Sequence, residues 1–374
     1  MRIAQVAPLY ESVPPALYGG TERVVSYLTE ELVNQGHDVT LFASGDSATD
    51  ARLISPCERS LRLSRTPDQL LPHIIMIDQV CELAEEFDVV HFHTDYLHYA
   101  TTRRCGFVHL TTLHGRLDMP QLPDLYRHFN DVPLVSISNS QRRPLRGANW
   151  VGTVYHGLPD DLYSFTAKPN AEPYLAFVGR MSREKRVDRA IKIALACGIE
   201  LRIAAKVDPA DVEYYERYIE PLIDEPGIEF IGEINDIEKN DFLGNAMALL
   251  FPIDWPEPFG LTMIEAMACG TPVIAWPNGS VPEVLEAGKT GFICRTVSEA
   301  VEAVDRISEI SREQCRREFE TRFSARRMAQ DYVRLYERVI NDRFINDSRR
   351  AKDEHGRDHS RPGKVLHPRD LLTG

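Results

Sequence analysis

The sequence predicts an α/β protein with two domains, each built on a parallel, doubly wound sheet, and three observations support this fold class. The chain has 374 residues, which exceeds one ordinary core and suits two domains of common size. Short apolar runs alternate with helical patterns in both halves, as expected for parallel strands joined by helices. Between the halves, Pro159, Pro169 and Pro173 indicate a linker.

The first half, residues 1–155, begins with a strand and a helix. Apolar residues 3–7 predict the first strand, residues 21–35 predict a helix that Gly36 ends, and residues 38–43 predict the next strand. Further strands are expected at residues 88–93, 108–113 and 134–137. One domain is therefore predicted over residues 1–155, followed by a linker at 156–172.

The second half, residues 173–323, repeats this alternation. Strands are expected at residues 174–179, 201–204, 228–231 and 248–251, and a helix at 187–197 is ended by Gly198. Residues 324–342 predict a last helix, because Met328, Tyr332, Leu335 and Val339 recur at helical spacing. Residues 343–374 carry eight Lys or Arg and five Asp or Glu with few large apolar groups, and we expect them to be disordered.

Composition limits the classes of function. A formal charge of −13 disfavours a general nucleic-acid binder, because such a surface repels phosphate backbones. The amino terminus lacks the long apolar region of a signal peptide, and no run approaches the ~18 apolar residues of a membrane span. Seven scattered cysteines without a Cys-x-x-Cys pair fit a reducing compartment. We expect a cytoplasmic protein.

The most informative stretch is residues 257–275, which place two carboxylates eight positions apart. Glu257 lies in a Pro/Gly loop, and Glu265 lies on the helix that this loop opens. Gly260 permits close approach of the backbone to a ligand, Gly270 suits a left-handed helix stop, and Pro272 prevents continuation. The amino terminus of the helix, at Phe259, Gly260, Leu261 and Thr262, directs free N–H groups and a positive dipole end at the site between the glutamates.

This stretch closely resembles the E-x7-E element of retaining glycosyltransferases of family 4. Phe259, Gly260 and Leu261 inside the element and the run 269–275 behind it carry the resemblance. It implies a GT-B fold: two Rossmann-like domains face each other across a cleft, and a C-terminal helix crosses back onto the first. It also implies that Glu257 binds hydroxyls of the donor sugar and Glu265 those of the nucleotide ribose. The alternative is that both glutamates are ordinary solvated acids.

Three further motifs match the family's pattern, and each has a simpler interpretation. Arg180 and Lys185 follow an apolar strand and resemble the family's diphosphate clamp, although a solvated basic loop has the same composition. Gly19 and Gly20 enter a helix and suit close contact with the donor, although paired glycines also form flexible turns. His114 closes a strand and resembles a histidine that binds a sugar hydroxyl in the family, although most such histidines are structural.

A histidine cluster and an arginine cluster each suggest another function. His91 and His93 share one face of a strand and His98 follows, which superficially suggests a metal; lacking a third ligand with convincing spacing, they are better interpreted as wall or supporting groups. Arg52, Arg59, Arg62 and Arg65 alternate with aliphatic residues in a region without a clear strand pattern. Such a segment binds anionic lipid at the inner face of a membrane or is simply a solvated loop.

The sequence therefore predicts a retaining glycosyltransferase that uses a UDP- or GDP-linked sugar, with a hexose as the expected sugar, and needs no metal or cofactor. His114, Arg180, Lys185 and Glu257 are the expected catalytic residues. The acceptor is a sugar, glycolipid or small molecule, and nucleic acid is not an expected partner. The alternatives are a phosphorylase or nucleotide-sugar epimerase of the same fold, or a noncatalytic sugar-nucleotide-binding subunit. A Rossmann dehydrogenase is disfavoured because no Gly-x-Gly-x-x-Gly follows the first strand.

Overall fold

The computed structural model describes residues 1–16, 19–64, 67–169 and 172–356, with side chains up to residue 345. Within these residues the strands form two sheets, and every pairing between neighbouring strands is parallel. Each sheet is covered by helices, as the alternation of apolar runs and helical patterns predicts. The two-domain α/β fold class is confirmed.

The first sheet has the strand order β3-β2-β1-β4-β5-β6-β7. Its strands are β1 (Arg2–Val6), β2 (Asp38–Phe42), β3 (Arg52–Ile54), β4 (Val89–Phe92), β5 (His109–Leu113), β6 (Leu134–Ser136) and β7 (Trp150–Thr153). The helices of this half are α1 (Gly20–Asn34), α2 (Leu61–Ser64), α3 (Leu70–Glu82), α4 (Tyr99–Cys105) and α5 (Leu122–His128). In β1, Ile3, Ala4 and Val6 are fully buried, because helices cover both faces of the sheet.

The second sheet has the order β10-β9-β8-β11-β12-β13. Its strands are β8 (Tyr174–Arg180), β9 (Glu200–Lys206), β10 (Ile228–Gly232), β11 (Ala248–Phe251), β12 (Val273–Ala275) and β13 (Gly291–Ile293). The helices of this half are α6 (Val187–Cys197), α7 (Val212–Tyr214), α8 (Glu220–Ile223), α9 (Asp236–Gly244), α10 (Leu261–Ala268), α11 (Val281–Val284), α12 (Val297–Asp305) and α13 (Arg312–Arg322). The last helix is α14 (Ala325–Gly356).

Several short elements were not predicted. β3 was missed because this edge strand has three residues, with Arg52 exposed and the other two only partly buried, so no apolar run marks it. Residues 52–64 therefore contain a strand and the short helix α2, where the sequence shows no clear pattern. The helix α3 contains Pro72 in its first turn, where the missing N–H of a proline costs no helical hydrogen bond.

The chain passes between the two halves twice, and the two passages lie side by side. The backbone N–H of Leu158 donates to the carbonyl of Phe323 at 2.9 Å, and the N–H of Ala325 donates to the carbonyl of Leu158 at 2.7 Å. Gly157 fits here because a Cβ atom would come within 2.2 Å of the Ser324 carbonyl oxygen. The linker and the start of α14 are thereby held together.

The helix α14 crosses back onto the first half, as predicted. Tyr332 and Tyr336 are buried there and hydrogen-bond Thr112 and Gln5 of the first sheet at 2.9 and 3.0 Å. The predicted helix end at residue 342 is wrong, and so is the disorder expected for residues 343–356, because α14 continues through Gly356, the last described residue. Residues 343–355 contain no Gly or Pro and several strong helix formers, so the helix continues. The remainder of the expected tail, residues 357–374, lies outside the described residues.

Among the residues that the structure describes, no helix combines the length and apolar character needed to cross a membrane.

Candidate active site

One cavity of about 610 Å³ lies between the carboxyl ends of the two sheets, where ligands bind in α/β folds. All of the predicted catalytic and donor-binding residues line it. They are Gly19, Gly20 and His114 from the first half, and Arg180, Lys185, Glu257, Phe259, Gly260, Leu261, Thr262 and Glu265 from the second. The two halves thus bring residues that are far apart in sequence to one place.

The loop before α10 depends on its glycine. Gly260 has a φ of 82°, and a Cβ there would come 2.7 Å from the Cε of Met263 and 3.2 Å from the ring of Phe251. Within the described residues, no side chain caps the amino terminus of α10, which therefore presents backbone N–H groups at the cavity wall. At the other end of the helix, Gly270 has a φ of 85°, as its predicted role as a left-handed stop requires.

Glu257 is nearly buried and is held by two donors. Its Oε2 atom accepts from Lys185 Nζ at 2.5 Å and from the indole nitrogen of Trp255 at 3.0 Å, and the side chain belongs to a residue only 8% exposed. The ammonium group of Lys185 also lies 5.1 Å from the Trp255 ring, within the range of a cation–π contact. Lys185, Glu257 and Trp255 therefore form one cluster on the cavity wall.

Glu265 is more buried than Glu257, and only one of its two carboxylate oxygens has a hydrogen-bond partner among the described residues. Its Oε1 atom accepts from Lys239 Nζ at 3.1 Å, and the residue is 3% exposed. Its Oε2 atom is buried and has no hydrogen-bond partner among the described residues. Because an unpaired buried carboxylate oxygen is costly, this atom is suited to accept a hydrogen bond from a ligand in the cavity.

Arg180 ends β8 and is surrounded by carboxylates. Its guanidinium lies 2.6 Å from Glu184 Oε1, 3.7 Å from Asp208 Oδ2 and 4.0 Å from Asp211 Oδ2. The side chain is about a third exposed, at 31%, so solvent weakens these pairs. The carboxylates hold the guanidinium at the cavity wall without enclosing it.

His114 follows β5 and is positioned by two other histidines. Its Nε2 atom is hydrogen-bonded to His93 Nδ1 at 2.8 Å, and its ring stacks on that of His156 with centroids 5.3 Å apart. Its Nδ1 atom is buried without a hydrogen-bond partner among the described residues. Burial lowers the pKa of His114 to about 3, so the imidazole is neutral at physiological pH.

His91, His93 and His98 support the wall, and hydrogen bonds occupy both ring nitrogens of each. His91 bonds Tyr336 at 2.8 Å and Thr112 at 2.7 Å, and His98 bonds Thr94 at 3.2 Å and Thr111 at 2.8 Å. Burial lowers the pKa of His91, His93 and His98 well below the usual value. In the described part of the chain, no group of three or more His, Cys, Asp or Glu is arranged to hold a metal ion.

Several charged wall residues were not predicted, and one of the ion pairs that they form crosses the cleft. Arg23 on α1 forms an ion pair with Asp236 at the start of α9, and Lys239 contacts both Asp236, at 3.3 Å, and Glu265. The only available signal was the position of Arg23 directly after the Gly19-Gly20 loop. These charges close the Glu265 end of the cavity with residues from both halves.

The first-half wall carries two carboxylates, and burial disfavours the anionic form of one of them. Glu22 is 5% exposed, and burial raises its pKa to about 7. Asp95, which has a φ of 50°, is exposed to solvent. Tyr10 and Tyr96 line the same part of the cavity. This wall therefore offers carboxyl and phenol groups to a ligand.

The basic segment near this wall is largely neutralised. Arg62 lines the cavity and pairs with Glu11 at 2.9 Å, and Arg52 pairs with Glu86 at 2.9 Å. Arg59 is exposed, whereas Arg65 lies outside the described residues. The arginines that pair do so with acids of this chain, which matches the simpler interpretation of this segment as solvated surface.

A second interdomain contact is centred on Glu283. Its carboxylate accepts from the backbone N–H groups of Asn139 and Ser140 at 2.7 and 2.6 Å and from the Tyr155 hydroxyl at 3.0 Å. Nearby, the Ser138 hydroxyl donates to the carbonyl of Pro258 at 2.7 Å. These bonds hold the halves together beside the loop that carries Glu257.

Two sequence families match the chain in complementary regions. The family described as Glycosyltransferase Family 4 matches residues 18–191, and the family described as Glycosyl transferases group 1 matches residues 162–329. Together the matched regions include both walls of the cavity.

The chain is a GT-B glycosyltransferase of the family 4 type. Several curated relatives match this glycosyltransferase over most of their length. N-acetyl-alpha-D-glucosaminyl L-malate synthase of Bacillus anthracis is 22% identical over 87% of this chain and 95% of its own. Alpha-maltose-1-phosphate synthase of Mycolicibacterium smegmatis is 24% identical over 82% of this chain and 87% of its own.

Solved structures share the fold of this glycosyltransferase at low identity. Sucrose-phosphate synthase from Thermosynechococcus elongatus has a TM-score of 0.73 and 20% identity and covers 91% of this chain and 100% of its own. HepE from Anabaena, in complex with UDP and glucose, has a TM-score of 0.70 and 16% identity and covers 90% of this chain and 99% of its own. These similarities establish the fold.

Proposed function

We propose that this glycosyltransferase transfers a hexose from a UDP- or GDP-linked donor to a hydroxylated acceptor, with retention of the anomeric configuration. The observation that carries the proposal is the unpaired, buried Oε2 atom of Glu265, a residue that lines the cavity together with Arg180, Lys185 and the α10 amino terminus. A ribose hydroxyl would satisfy this oxygen while the diphosphate meets the positive groups. The Anabaena HepE complexes with UDP and with UDP-glucose agree with this class of ligand.

The diphosphate is the leaving group, and its negative charge grows as the anomeric bond breaks. Arg180 offers a planar fork to two phosphate oxygens, and Lys185 offers a compact ammonium group. The N–H groups at Leu261 and Thr262 add the positive end of a helix dipole. These groups supply positive charge without a metal ion, and we therefore propose a metal-independent reaction.

Glu257 orients the donor sugar and does not act as a nucleophile. Its Oε2 atom already accepts from Lys185 and Trp255, and these two bonds reduce the nucleophilicity of the carboxylate. Retention is then best explained by attack of the acceptor hydroxyl on the face that the diphosphate leaves. A leaving phosphate oxygen takes the hydroxyl proton as the new glycosidic bond forms.

The acceptor occupies the first-half wall. Glu22, Asp95, Tyr10 and Tyr96 offer hydrogen-bonding groups suited to hydroxyls, and Arg62 is already paired with Glu11. A cavity wall of this kind favours a neutral hydroxylated acceptor, such as a sugar or the sugar headgroup of a glycolipid, over a carboxylate or a free phosphate.

Peripheral contact with a membrane stays a prediction, and α3 offers a candidate surface for it. This helix exposes Leu70, Leu71, Ile74 and Ile75 beside the acceptor end of the cavity. Flotation of the full chain with vesicles of anionic or neutral lipid tests this contact. Failure to float with either kind of vesicle would exclude it and would leave the proposed transfer unaffected.

The product decides between transfer and the alternative reactions. We expect release of UDP or GDP only when an acceptor hydroxyl is present, and NMR of the product should show the anomeric configuration of the donor. Turnover that requires inorganic phosphate would indicate a phosphorylase, whereas an isomerised nucleotide sugar formed without acceptor would indicate an epimerase. Binding of the donor without any turnover across an acceptor panel would indicate a noncatalytic subunit.

A further inference from the structure

A relay of hydrogen bonds, from Tyr336 through Gln5 and His93 to His114, connects α14 to the cavity. The Tyr336 hydroxyl bonds the Gln5 side-chain nitrogen at 3.0 Å, and the Gln5 side-chain oxygen bonds His93 Nε2 at 2.8 Å. His93 Nδ1 then bonds His114 Nε2 at 2.8 Å. The relay ends at His114 Nδ1, which is buried and has no hydrogen-bond partner among the described residues. The His114 side chain lines the cavity.

The donor and acceptor atoms of the side chains in the relay determine which nitrogen of each histidine carries the proton. The amide oxygen of Gln5 only accepts, so His93 Nε2 must carry a proton and donate it. A neutral histidine then has no proton on Nδ1, and this atom accepts from His114 Nε2. A neutral His114 protonated on Nε2 has a lone pair on Nδ1.

The hydrogen bonds at the other end of the relay, around Tyr336 and His91, are consistent with these proton positions. The Gln5 amide nitrogen donates to the Tyr336 oxygen, which leaves the Tyr336 proton for His91 Nδ1 at 2.8 Å. His91 then donates from Nε2 to the Thr112 hydroxyl at 2.7 Å. Each bond in the series has one donor and one acceptor, and burial holds His91, His93 and His114 neutral by lowering their pKa values.

We propose that Tyr336, Gln5 and His93 are positioning residues that hold His114 as the tautomer protonated on Nε2, so that Nδ1 presents a lone pair to a substrate hydroxyl. The inference deepens the proposed function and rests on it for the identity of the ligand. A lone pair accepts a hydrogen bond from a sugar hydroxyl and thereby orients it. A neutral ring also adds no positive charge beside a sugar carbon that becomes positive in the transition state.

The relay makes this property of the active site depend on the docking of α14. Tyr336 lies 331 positions from Gln5 in the sequence, and the helix brings it to the first sheet only when it crosses back. Loss of the Tyr336 hydroxyl leaves the Gln5 amide nitrogen without its acceptor, so the amide is free to turn by 180°. The turned amide would donate to His93 Nε2, so His93 would carry its proton on Nδ1 and donate it to His114 Nε2. The proton of His114 would then lie on Nδ1.

The tautomer is measured directly by ¹⁵N NMR of the full chain with labelled histidine, without substrate. At neutral pH we expect His114 to be protonated on Nε2 and unprotonated on Nδ1. A proton on Nδ1, or on both nitrogens, would overturn the proposal. This measurement is independent of turnover, so an inactive protein with the expected tautomer would contradict the proposed function and not the relay.

Two matched substitutions on α14 test the role of Tyr336. Tyr336→Phe should give a mixture of His114 tautomers and lower kcat about tenfold with little change in KM, as expected for one misdirected hydrogen bond. Tyr332→Phe removes the hydroxyl beyond His91 and Thr112 and should leave the His114 tautomer unchanged. Thermal unfolding checks that both variants fold. An unchanged tautomer in folded Tyr336→Phe would show that the relay does not set it.

Discussion

Lys185 Nζ lies 2.5 Å from Glu257 Oε2, so the cation proposed for the diphosphate and the carboxylate proposed for the sugar form an ion pair. Both side chains are mostly buried, at 17% and 10% exposed, and Trp255 packs beside them. Burial makes such a pair sensitive to the loss of either member, because the remaining charge is left without its partner. A bound donor would therefore compete with this ion pair: its diphosphate for Lys185, and its sugar hydroxyls for Glu257.

Glu257→Gln should separate diphosphate binding from sugar binding. The change removes the charge that holds Lys185, so free UDP or GDP should bind at least as tightly as to the unaltered protein. The nucleotide sugar should be processed poorly, because the charge-assisted hydrogen bond to a sugar hydroxyl is weakened. Calorimetry with the diphosphate, together with kinetics on the intact donor, tests this. A marked loss of diphosphate affinity would show that Glu257 has a different role.

Arg180→Ala and Lys185→Ala should each lower kcat by about 10²–10³, because each removes a preorganised positive group from the leaving diphosphate. The loss should be larger in kcat than in donor affinity. Arg183→Ala is the matched control, since Arg183 is an exposed residue of the same loop and does not line the cavity. If both clamp variants keep kcat, the clamp is not part of the mechanism.

Chelation of divalent metals should leave turnover nearly unchanged, because Arg180, Lys185 and the α10 amino terminus supply the positive charge. The assay compares initial rates before and after EDTA treatment and after addition of Mg²⁺ or Mn²⁺. Complete loss of activity that either ion restores would contradict the metal-independent mechanism.

Glu22→Gln should change how stability depends on pH. An ordinary glutamate has a pKa of about 4.3, whereas burial raises the pKa of Glu22 to about 7. Between these values the folded protein keeps a proton that the unfolded chain has lost, so this residue's contribution to stability falls as pH rises. At pH 8, the unfolding free energy of the variant should exceed that of the unaltered protein by up to about 3 kcal/mol.

The difference between Glu22→Gln and the unaltered protein should be much smaller at pH 4 than at pH 8, when measured by chemical denaturation. Glu82→Gln, at an exposed position at the end of α3, is the control and should show no such pH dependence. If the difference in unfolding free energy between Glu22→Gln and the unaltered protein is the same at both pH values, burial does not raise the pKa of Glu22.

Local sequence signals, together with the resemblance to family 4, predicted part of the second-half wall of the cavity. Arg180 ends a strand, Lys185 lies in the loop after it, and Gly260 and Gly270 bound one short helix, so neighbouring residues determine their placement. The contacts of Arg23 with Asp236, 213 positions apart, depend on how the halves meet, and no periodic pattern encodes this. The edge strand β3 and the continuation of α14 were missed for a related reason, since short edges and polar helices carry little apolar pattern.

The most direct test of the central claim is a calorimetric titration of the unaltered protein and Glu265→Gln with UDP, GDP and their hexose conjugates. We predict saturable binding of at least one nucleotide and its sugar conjugate. Glu265→Gln should weaken the binding of both, because it removes the carboxylate whose buried Oε2 atom is proposed to accept from the ribose. Absence of binding by every UDP- and GDP-linked ligand, or equal affinity in the variant, would contradict the account.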